Sequence, residues 1–535
     1  MSRVRNPILP GFHPDPSICR VGDTYYLATS TFEWWPGVRL HRSRDLVNWE
    51  PLGGALTRRS QLNMRGNPDS GGVWAPCLTH ADGRFWLVYS DAKSLQGPFK
   101  DVRNYLVTAE RIEGPWSDPV VLNASGFDPS LFHDADGRKW LVCQYWRNST
   151  GRDAFAGITL QEYSVTQQKL VGEPRVIFTG SPLGITEGPH LYRKDGYYYL
   201  VTAEGGTGWE HAVTVCRSRN IEGPYELHPQ NPILTSLDRP DAVLQKAGHA
   251  SFVEAPDGRW FLVHLCSRPV GAHRRCILGR ETALQPLVWP AGEWPRLADD
   301  GHVPLAEFEL PGAPEQRPYL ESFHDDFSSR ELSPHWNSLR EPLESPWMSL
   351  SERPGWLRLR GRYSLQCTFD QSALGFRLLH HRCRVATRFE FDPETFQHQA
   401  GLALYYNTAN FYHAYVSASD AGERVVQILA CDNRRYRFVL PEPRVIAAQG
   451  AVILGARIDG EVLQFFLDDG TGEQLLGPAL DATTLSDDYP VEGGVGWAFT
   501  GAFALLCAQD ASDRGRPADF DWFHYDSAPD SPQNS

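Results

Sequence analysis

Short apolar and aromatic runs dominate the first 270 residues, and five of them follow an acidic turn. The repeated element is "GDTYYLA" at Gly22, "DGRFWLV" at Asp82, "DGRKWLV" at Asp136, "DGYYYLV" at Asp195 and "DGRWFLV" at Asp257. Asp-Gly between apolar runs is typical of a hairpin turn, because glycine accepts the positive φ that such turns require. The aromatic residues after each turn favour strands. The pattern therefore predicts five β-hairpins, and helical periodicity is hardly visible here.

The spacing of the hairpins predicts a closed ring of sheets. Each turn lies far enough from the next for one four-stranded antiparallel blade. Five such blades arranged radially form a five-bladed β-propeller, which leaves few sheet edges exposed.

One register shared by the five repeats carries candidate chemistry. The residues eight positions before the aspartate of each turn are Asp15, Trp74, Asp128, Glu187 and His249. The innermost strand of each blade lines the central channel, so these positions are predicted to begin inner strands and to converge at one mouth of it.

Prolines flank two of the acids, in "HPDPS" around Asp15 and "FDPS" around Asp128. Proline pushes the preceding residue toward extended geometry, so we expect these prolines to aim the carboxylates. One Asp-Pro-Ser would equally fit an Asx turn. Three acids at one register repel one another, and they indicate either catalysis or a central calcium or magnesium ion.

The repeat stops after "ETALQPLVWPAGEWPRL", and a Pro- and Gly-rich linker follows. Beyond it come short alternating runs, among them "GWLRLRG", "AGLALYYN", "AVILGARIDG" and "GGVGWAFTGAFALLCAQD". Such runs with turns between them predict a jelly-roll-like β-sandwich. The fold class is thus all-β, with a propeller over 1–315 and a sandwich over 316–535.

The composition of the chain limits the classes of partner and the cellular location that are expected. The net charge of −14 argues against nucleic acid and anionic membranes. There is no apolar run long enough to span a bilayer, and the N-terminus lacks a signal-peptide pattern, so a cytoplasmic protein is expected. The ten cysteines show no paired spacing, which favours buried reduced thiols.

Two carboxyl groups that flank a bond are the usual equipment for glycoside hydrolysis. A third acid nearby can raise the pKa of the proton donor by repulsion. At these residues the chain resembles glycoside hydrolase family 43, and within it the two-domain β-xylosidases. The matching segments are "NPILPGFHPDPSICRVGDTYYLATSTFEWWPGV", "GVWAPCL", "GFDPSLFHDADG", "GITEGPHLY", "GHASFVE", "CILGRETALQ", "SERPGWLRLRG" and "WAFTGAFALLCAQD".

The resemblance implies an inverting mechanism with Asp15 as general base, Glu187 as general acid and Asp128 as the residue that tunes and orients the acid. Trp74 would line the sugar pocket and His249 would act near the base. Arg280 matches a family arginine that reaches the substrate. Other residues expected in the pocket are Phe32, Trp146 and Thr207, and Phe503 of the sandwich would close it from above.

The implied substrate is a short 1,4-β-xylo-oligosaccharide, from which D-xylose is released at the non-reducing end. A side activity on α-L-arabinofuranosides is expected, and a main α-L-arabinofuranosidase activity is one alternative. A non-catalytic carbohydrate-binding propeller with a central metal is the other. The chemistry requires no cofactor, although Asp325, Asp326 and Asp521 could hold a structural calcium. The resemblance also suggests a homo-oligomer, a tetramer or a dimer.

Overall fold

The computed structural model describes residues 2–95, 98–344, 346–489 and 498–528. Part of the predicted run that begins at Gly493 therefore lies outside the described residues. The chain forms two compact units. The propeller unit comprises residues up to 63, 71–268 and 280–319, and the sandwich unit comprises 64–70, 269–279 and residues from 320 onward. No helix among the described residues is long and apolar enough to span a membrane.

The propeller unit is built of antiparallel strands, as the hairpin pattern predicts. In chain order the strands are β1 Ser2–Arg5, β2 Ser17–Val21, β3 Thr24–Thr29, β4 Trp34–Trp35, β5 Gly37–Ser43, β6 Glu50–Leu56, β7 Gly72–Ala81, β8 Arg84–Ala92, β9 Val102–Ala109, β10 Val120–Val121, β11 Ser130–His133, β12 Lys139–Trp146, β13 Phe155–Ser164, β14 Lys169–Phe178, β15 Glu187–Lys194, β16 Tyr197–Glu204, β17 Ala212–Ser218, β18 Glu226–Leu227, β19 Leu234–Thr235, β20 Gln245–Glu254, β21 Trp260–Ser267, β22 Glu281–Val288, β23 Arg296–Leu297 and β24 Glu307–Leu310.

Five of the sheets in the described residues are the blades. Their strand orders are β2-β3-β5-β6, β7-β8-β9-β10, β11-β12-β13-β14, β15-β16-β17-β18 and β20-β21-β22-β23, with β19 added on β17 of the fourth blade. The prediction of a five-bladed propeller is confirmed.

The turns after the inner strands have the backbone conformation that their Asp-Gly sequences predict. In the second and fourth blades both turn residues have positive φ, 52° and 72° for Asp82 and Gly83, and 50° and 76° for Asp195 and Gly196. This is the conformation of a two-residue hairpin turn that matches the twist of the strands. The third and fifth blades use longer connections, in which the glycine takes the positive φ.

The core lies between neighbouring blades. Between the fourth and fifth blades, for example, Tyr199 and Val213 pack with Phe252, Leu262 and Trp289. Side chains of this size remove a large apolar area from water, and they set the blades at a fixed angle around the channel.

The N-terminal segment closes the ring on the fifth blade. Strand β1 pairs with β24 in antiparallel register. The Asn6 side chain donates to the carbonyl oxygens of Leu284 and Leu305 and accepts from the Leu284 amide, each at 2.8 Å.

Replacing Asn6 by alanine is expected to lower the free energy of unfolding by about 1–3 kcal/mol, because three backbone groups lose their partner. The urea midpoint of unfolding of the purified protein measures this change. The exposed Asn148→Ala is the control, and an unchanged midpoint for Asn6→Ala would show that the closure is held by other contacts.

The sandwich unit contains two sheets with a core between them. Its strands are β25 Ser322–Asp325, β26 Trp336–Leu339, β27 Met348–Ser349, β28 Leu357–Arg360, β29 Ser372–Arg377, β30 Arg382–Phe391, β31 His398–Asn407, β32 Asn410–Ala418, β33 Arg424–Asp432, β34 Arg435–Phe438, β35 Arg444–Val445, β36 Val452–Asp459, β37 Val462–Asp468, β38 Gln474–Asp481, β39 Phe503–Asp510 and β40 Pro517–Ser527, with a 3₁₀ turn at Ala482–Leu485. One sheet has the order β27-β28-β40-β30-β36-β37-β38 with β25 on β40, and the other has β34-β33-β32-β31-β39-β29-β26 with β35 on β33.

A buried arginine explains why residues 64–70 belong to the sandwich unit. Arg340 is 1% exposed. Its guanidinium donates to the Asn67 carbonyl and to the Asp69 carboxylate, each at 2.7 Å. A guanidinium removed from water needs such partners, so this short segment is tied to β26 and its following loop.

Candidate active site

The five register positions lie at the same end of the inner strands. Glu187 is the first residue of β15, whereas Asp15 and Asp128 precede β2 and β11 by two residues. Trp74 and His249 lie inside β7 and β20. The expectation that all five begin their strands is thus met by Glu187 and nearly met by Asp15 and Asp128, but not by Trp74 and His249. Register shifts near Trp74, Glu187 and His249 interrupt the pairing of these strands.

The backbone is left-handed at three of the five positions. Asp15 and Asp128 both have a φ of 53°, and His249 has a φ of 48°. The expectation that the prolines hold both aspartates in extended geometry is therefore wrong. Aspartate tolerates this conformation because its side chain is short and polar, and the turn redirects each carboxylate just before the strand begins.

Asp15 is 5% exposed and is surrounded by donors. The Ser30 hydroxyl donates to Oδ2 at 2.6 Å, and Nη1 of Arg280 lies 3.2 Å from Oδ1. Nδ1 of His249 lies 3.9 Å from Oδ1. Burial acts to raise the pKa of Asp15, but Arg280, His249 and Ser30 together outweigh it and hold the pKa below its usual value. Asp15 is thus a carboxylate that stays ionised.

Arg280 links Asp15 to two other predicted residues. Its Nη1 donates to the Thr207 hydroxyl at 2.9 Å, and its guanidinium carbon lies 5.1 Å from the centre of the Phe32 ring. Phe32 in turn lies 6.3 Å from the Trp74 ring, measured between centroids. These contacts bring Phe32, Trp74, Thr207 and Arg280 to one wall around Asp15.

Glu187 and Asp128 form the acidic pair of the site. The Gly188 amide donates to Oδ2 of Asp128 at 3.1 Å, so the residue after Glu187 is held directly by Asp128. Burial, helped by Asp15, raises the pKa of Glu187 to about 7, although Lys100 and Arg280 oppose the rise. Burial, with repulsion by Glu187 and Asp15, also raises the pKa of Asp128 well above its usual value. The pair therefore retains a proton near neutral pH.

Lys100 is a site residue that sequence reasoning missed. Its ammonium lies 4.4 Å from the centre of the Trp146 ring and 5.1 and 5.5 Å from those of Phe127 and Trp74. Glu187 and Asp128 act to raise its pKa, but burial is the larger effect and lowers it. Lys100 lies in the loop before β9, outside the repeat register, and no sequence signal marked it.

Ser30 was also missed, although the register contained the signal. Ser17 pairs with Ala28 across the first hairpin. Extending that antiparallel pairing by two residues places Ser30 opposite Asp15. Counting outward from the turn at Gly22 would have identified it.

The remaining predicted residues lie in the sandwich unit. Phe503 begins β39, is fully buried and packs against the guanidinium of Arg377 at 5.4 Å. Its closure of the sugar pocket stays a prediction.

The acids predicted to hold calcium are engaged by protein donors. Asp325 accepts from the Trp336 indole at 2.8 Å, Asp326 accepts from the Ser328 amide at 3.0 Å, and Asp521 pairs with Arg388. Among the described residues, no group of three or more His, Cys, Asp or Glu could hold a metal ion. The calcium site stays a prediction that this arrangement does not support.

The cleft thus combines an ionised carboxylate with a carboxyl group that keeps its proton. The first can accept a proton from water, and the second can donate one to a leaving oxygen. Cationic Arg280 and Lys100 lie beside the acids, which disfavours a cation site formed by the same oxygens. Aromatic rings along the wall suit the apolar face of a sugar.

Comparison with known proteins gives the same family for the whole chain. The family model "Glycosyl hydrolases family 43" matches residues 4–295, and "Beta xylosidase C-terminal Concanavalin A-like domain" matches residues 324–526. The chain is 49% identical to "Xylosidase/arabinosidase 43B" of Humicola insolens, with 98% of each chain covered. It is 47% identical to "Xylan 1,3-beta-xylosidase" of a Vibrio species, with 98% of this chain and 99% of the relative covered.

A solved structure extends the similarity to three dimensions. The xylan β-1,4-xylosidase from Bacillus halodurans C-125 superposes with a TM-score of 0.94 at 49% identity, covering 98% of this chain and 100% of that one. With the acids of the propeller converging in one cleft and both family models matching in order, the chain belongs to glycosyl hydrolase family 43.

Proposed function

We propose that the protein is an inverting, exo-acting β-xylosidase, which releases D-xylose from the non-reducing end of short 1,4-β-xylo-oligosaccharides. The observation that carries the acid–base chemistry is the different surroundings of two carboxyl groups in one site. Arg280 and Ser30 bond Asp15, whereas Glu187 is partly buried beside Asp128. The similarity to xylosidases supports the choice of sugar. The pKa of Asp15 is lowered while that of Glu187 is raised to about 7. A base and an acid are thereby ready at the same pH.

The reaction follows from these two states. Asp15 takes a proton from a water molecule as that water attacks the anomeric carbon. Glu187 gives its proton to the glycosidic oxygen as the bond from that oxygen to the anomeric carbon breaks. The new C–O bond forms on the face opposite the old one, so the configuration inverts. Asp128 holds the backbone after Glu187. We also assign to it, together with Asp15, the negative charge that favours the protonated acid.

Neighbouring groups keep the base ionised and hold the sugar. Arg280 bonds both Asp15 and Thr207. Burial lowers the pKa of His249, although Asp15 opposes this effect. The ring nitrogens of His249 can share a hydrogen bond with the water or a sugar hydroxyl. We assign Phe32 and Trp74 to the wall that contacts the sugar ring.

Hydrolysis of 4-nitrophenyl β-D-xyloside, compared with the α-L-arabinofuranoside, tests the sugar preference. We expect a larger kcat/KM for the xyloside and a measurable side activity, since one relative is named for both activities. A larger value for the arabinofuranoside would make the chain primarily an arabinofuranosidase. Hydrolysis of neither would favour a binding protein.

The linkage requires a separate comparison, because relatives of similar identity are named for different linkages. We expect 1,4-linked xylobiose to be cleaved faster than 1,3-linked xylobiose. Xylotriose labelled at its reducing end should lose one xylose at a time from the unlabelled end. The reverse linkage preference, or early release of unlabelled xylobiose, would contradict the assignment.

The value of kcat/KM should fall on both sides of a pH optimum. Glu187 works in its protonated form, so activity should be lost as pH rises through about 7. Asp15 works ionised, so the acidic limb should lie below the usual range of an aspartate. Asp128→Asn removes a negative neighbour and should move the alkaline limb to lower pH. An alkaline limb that the substitution leaves in place would contradict this role of Asp128.

A homo-oligomer, a tetramer or a dimer, belongs to the same proposal and rests on the family resemblance. Sedimentation equilibrium of the full chain measures the assembly. A monomer at all concentrations would contradict it without affecting the catalytic assignment.

A further inference from the structure

Glu204 is a carboxylate that the mechanism above does not use. It ends β16, and its side chain has no exposed area. The preceding residue, Ala203, pairs directly with Glu187 in the antiparallel register of β15 and β16. Glu204 therefore lies one residue from the backbone partner of the general acid.

Glu204 binds the loop that leads into Glu187. The Ser181 amide donates to Oε1 at 2.9 Å, and the Thr186 hydroxyl donates to the same oxygen at 3.1 Å. The Ser181 hydroxyl donates to Oε2. Immediately after β16, the Gly205 amide donates to the Gly184 carbonyl at 2.9 Å. Both ends of the loop from 181 to 186 are thus fixed to the end of one strand.

The loop needs such an anchor because its backbone is strained. Ile185 has a φ of 52°, a conformation that a β-branched side chain disfavours. Gly180 has a φ of 95°, and a Cβ at that position would lie 2.2 Å from the Thr186 hydroxyl oxygen. The hydroxyl reaches Glu204 only because this residue is glycine.

The general acid is consequently held on both sides. Thr186 precedes it and is bonded to Glu204, whereas Gly188 follows it and is bonded to Asp128. We propose that Glu204 is a positioning residue, which aims the carboxyl group of Glu187 at the leaving oxygen through this loop. The proposal rests on the proposed function, since it takes Glu187 as the general acid.

The chemistry of the contacts favours a carboxylate over a neutral side chain. The groups that Glu204 contacts in the loop are all N–H or O–H donors. An ionised carboxylate offers acceptor positions on both oxygens. Glutamine has nearly the same volume but would turn an amide N–H₂ toward one of these donors. Glu204→Gln should therefore loosen the loop without opening a cavity.

The experiment compares two substrates that differ in their need for the acid. Glu204→Gln is expected to lower kcat on xylobiose by about 10- to 100-fold, because a displaced acid transfers its proton poorly. On 4-nitrophenyl β-D-xyloside the loss should stay below about 5-fold, since that leaving group needs little protonation. KM should change little on either substrate.

Two further variants keep the test independent of folding. Thr186→Val removes the hydroxyl donor at constant shape and should show the same selective loss, while Thr186→Ser keeps the donor and should resemble the parent. Asp134→Asn is the matched control, because Asp134 is also buried and binds Arg193 and Tyr198 beyond the other end of β11. Any loss in the control should be equal on both substrates.

Equal losses on the two substrates for Glu204→Gln, or equal behaviour of Thr186→Val and Thr186→Ser, would overturn the proposal. Glu187→Ala, measured in parallel, separates this failure from that of the proposed function. If Glu187→Ala loses xylobiose activity selectively and the Glu204 and Thr186 variants do not, only the positioning role fails. If Glu187→Ala itself shows no selectivity, the acid assignment fails.

Discussion

Asp15→Ala is expected to lower kcat/KM by about 10²–10⁴-fold on xylobiose and on 4-nitrophenyl β-D-xyloside alike. The base removes a proton from water in the single step of an inverting reaction, and both substrates pass through that step. No leaving group, however good, replaces this function. Asp15 is also the carboxylate that Arg280 and Ser30 hold in the ionised form.

Asp23→Asn provides the control for this loss. Asp23 belongs to the same repeat, eight residues further on, and its side chain is 79% exposed. The control should keep nearly full activity. An Asp15→Ala enzyme that still cleaves the nitrophenyl substrate at close to the parent rate would show that Asp15 is not the base.

Glu187→Ala should produce a different pattern. A xylose leaving group is a poor anion and needs a proton, whereas 4-nitrophenolate is already stable. We expect a loss of about 10²–10⁴-fold on xylobiose and a much smaller one on the nitrophenyl glycoside. The alkaline limb of the pH profile near 7 should also disappear for the nitrophenyl substrate, because the group that titrates there is gone.

Glu226→Ala serves as the control, since Glu226 lies on the outer strand of the same blade with its side chain 67% exposed. Equal losses of Glu187→Ala on the two substrates would contradict its role as acid. An alkaline limb that remains near 7 would assign that titration to another group.

The repeat carried most of the information about the fold. Each candidate lies eight residues before the aspartate of a turn, which is a local signal. Because side chains alternate between the two faces of a strand, this fixed distance places every candidate at an equivalent position along its inner strand. For that reason Asp15, Asp128 and Glu187 could be grouped from the amino-acid sequence alone. The antiparallel order of strands within each blade also followed, since these strands pair in the order in which they occur in the chain.

Features that depend on packing between distant segments could not be predicted in this way. Lys100 reaches Trp146 and Trp74 from a loop without a repeat. The left-handed backbone at Asp15 opposes the local effect of Pro16, so tertiary context decided it. Likewise, residues 64–70 group with the sandwich unit because buried Arg340 binds them, and nothing near Asn67 in sequence indicates this.

Proton NMR of the first product tests the central account most directly. The enzyme is mixed with 4-nitrophenyl β-D-xyloside, and the anomeric signals of xylose are followed before mutarotation equilibrates them. An ionised Asp15 that activates water opposite the departing oxygen predicts that α-xylose appears first and the β-anomer grows in later. If β-xylose forms first, the reaction proceeds with retention, and the assignment of Asp15 as a base acting on water is wrong.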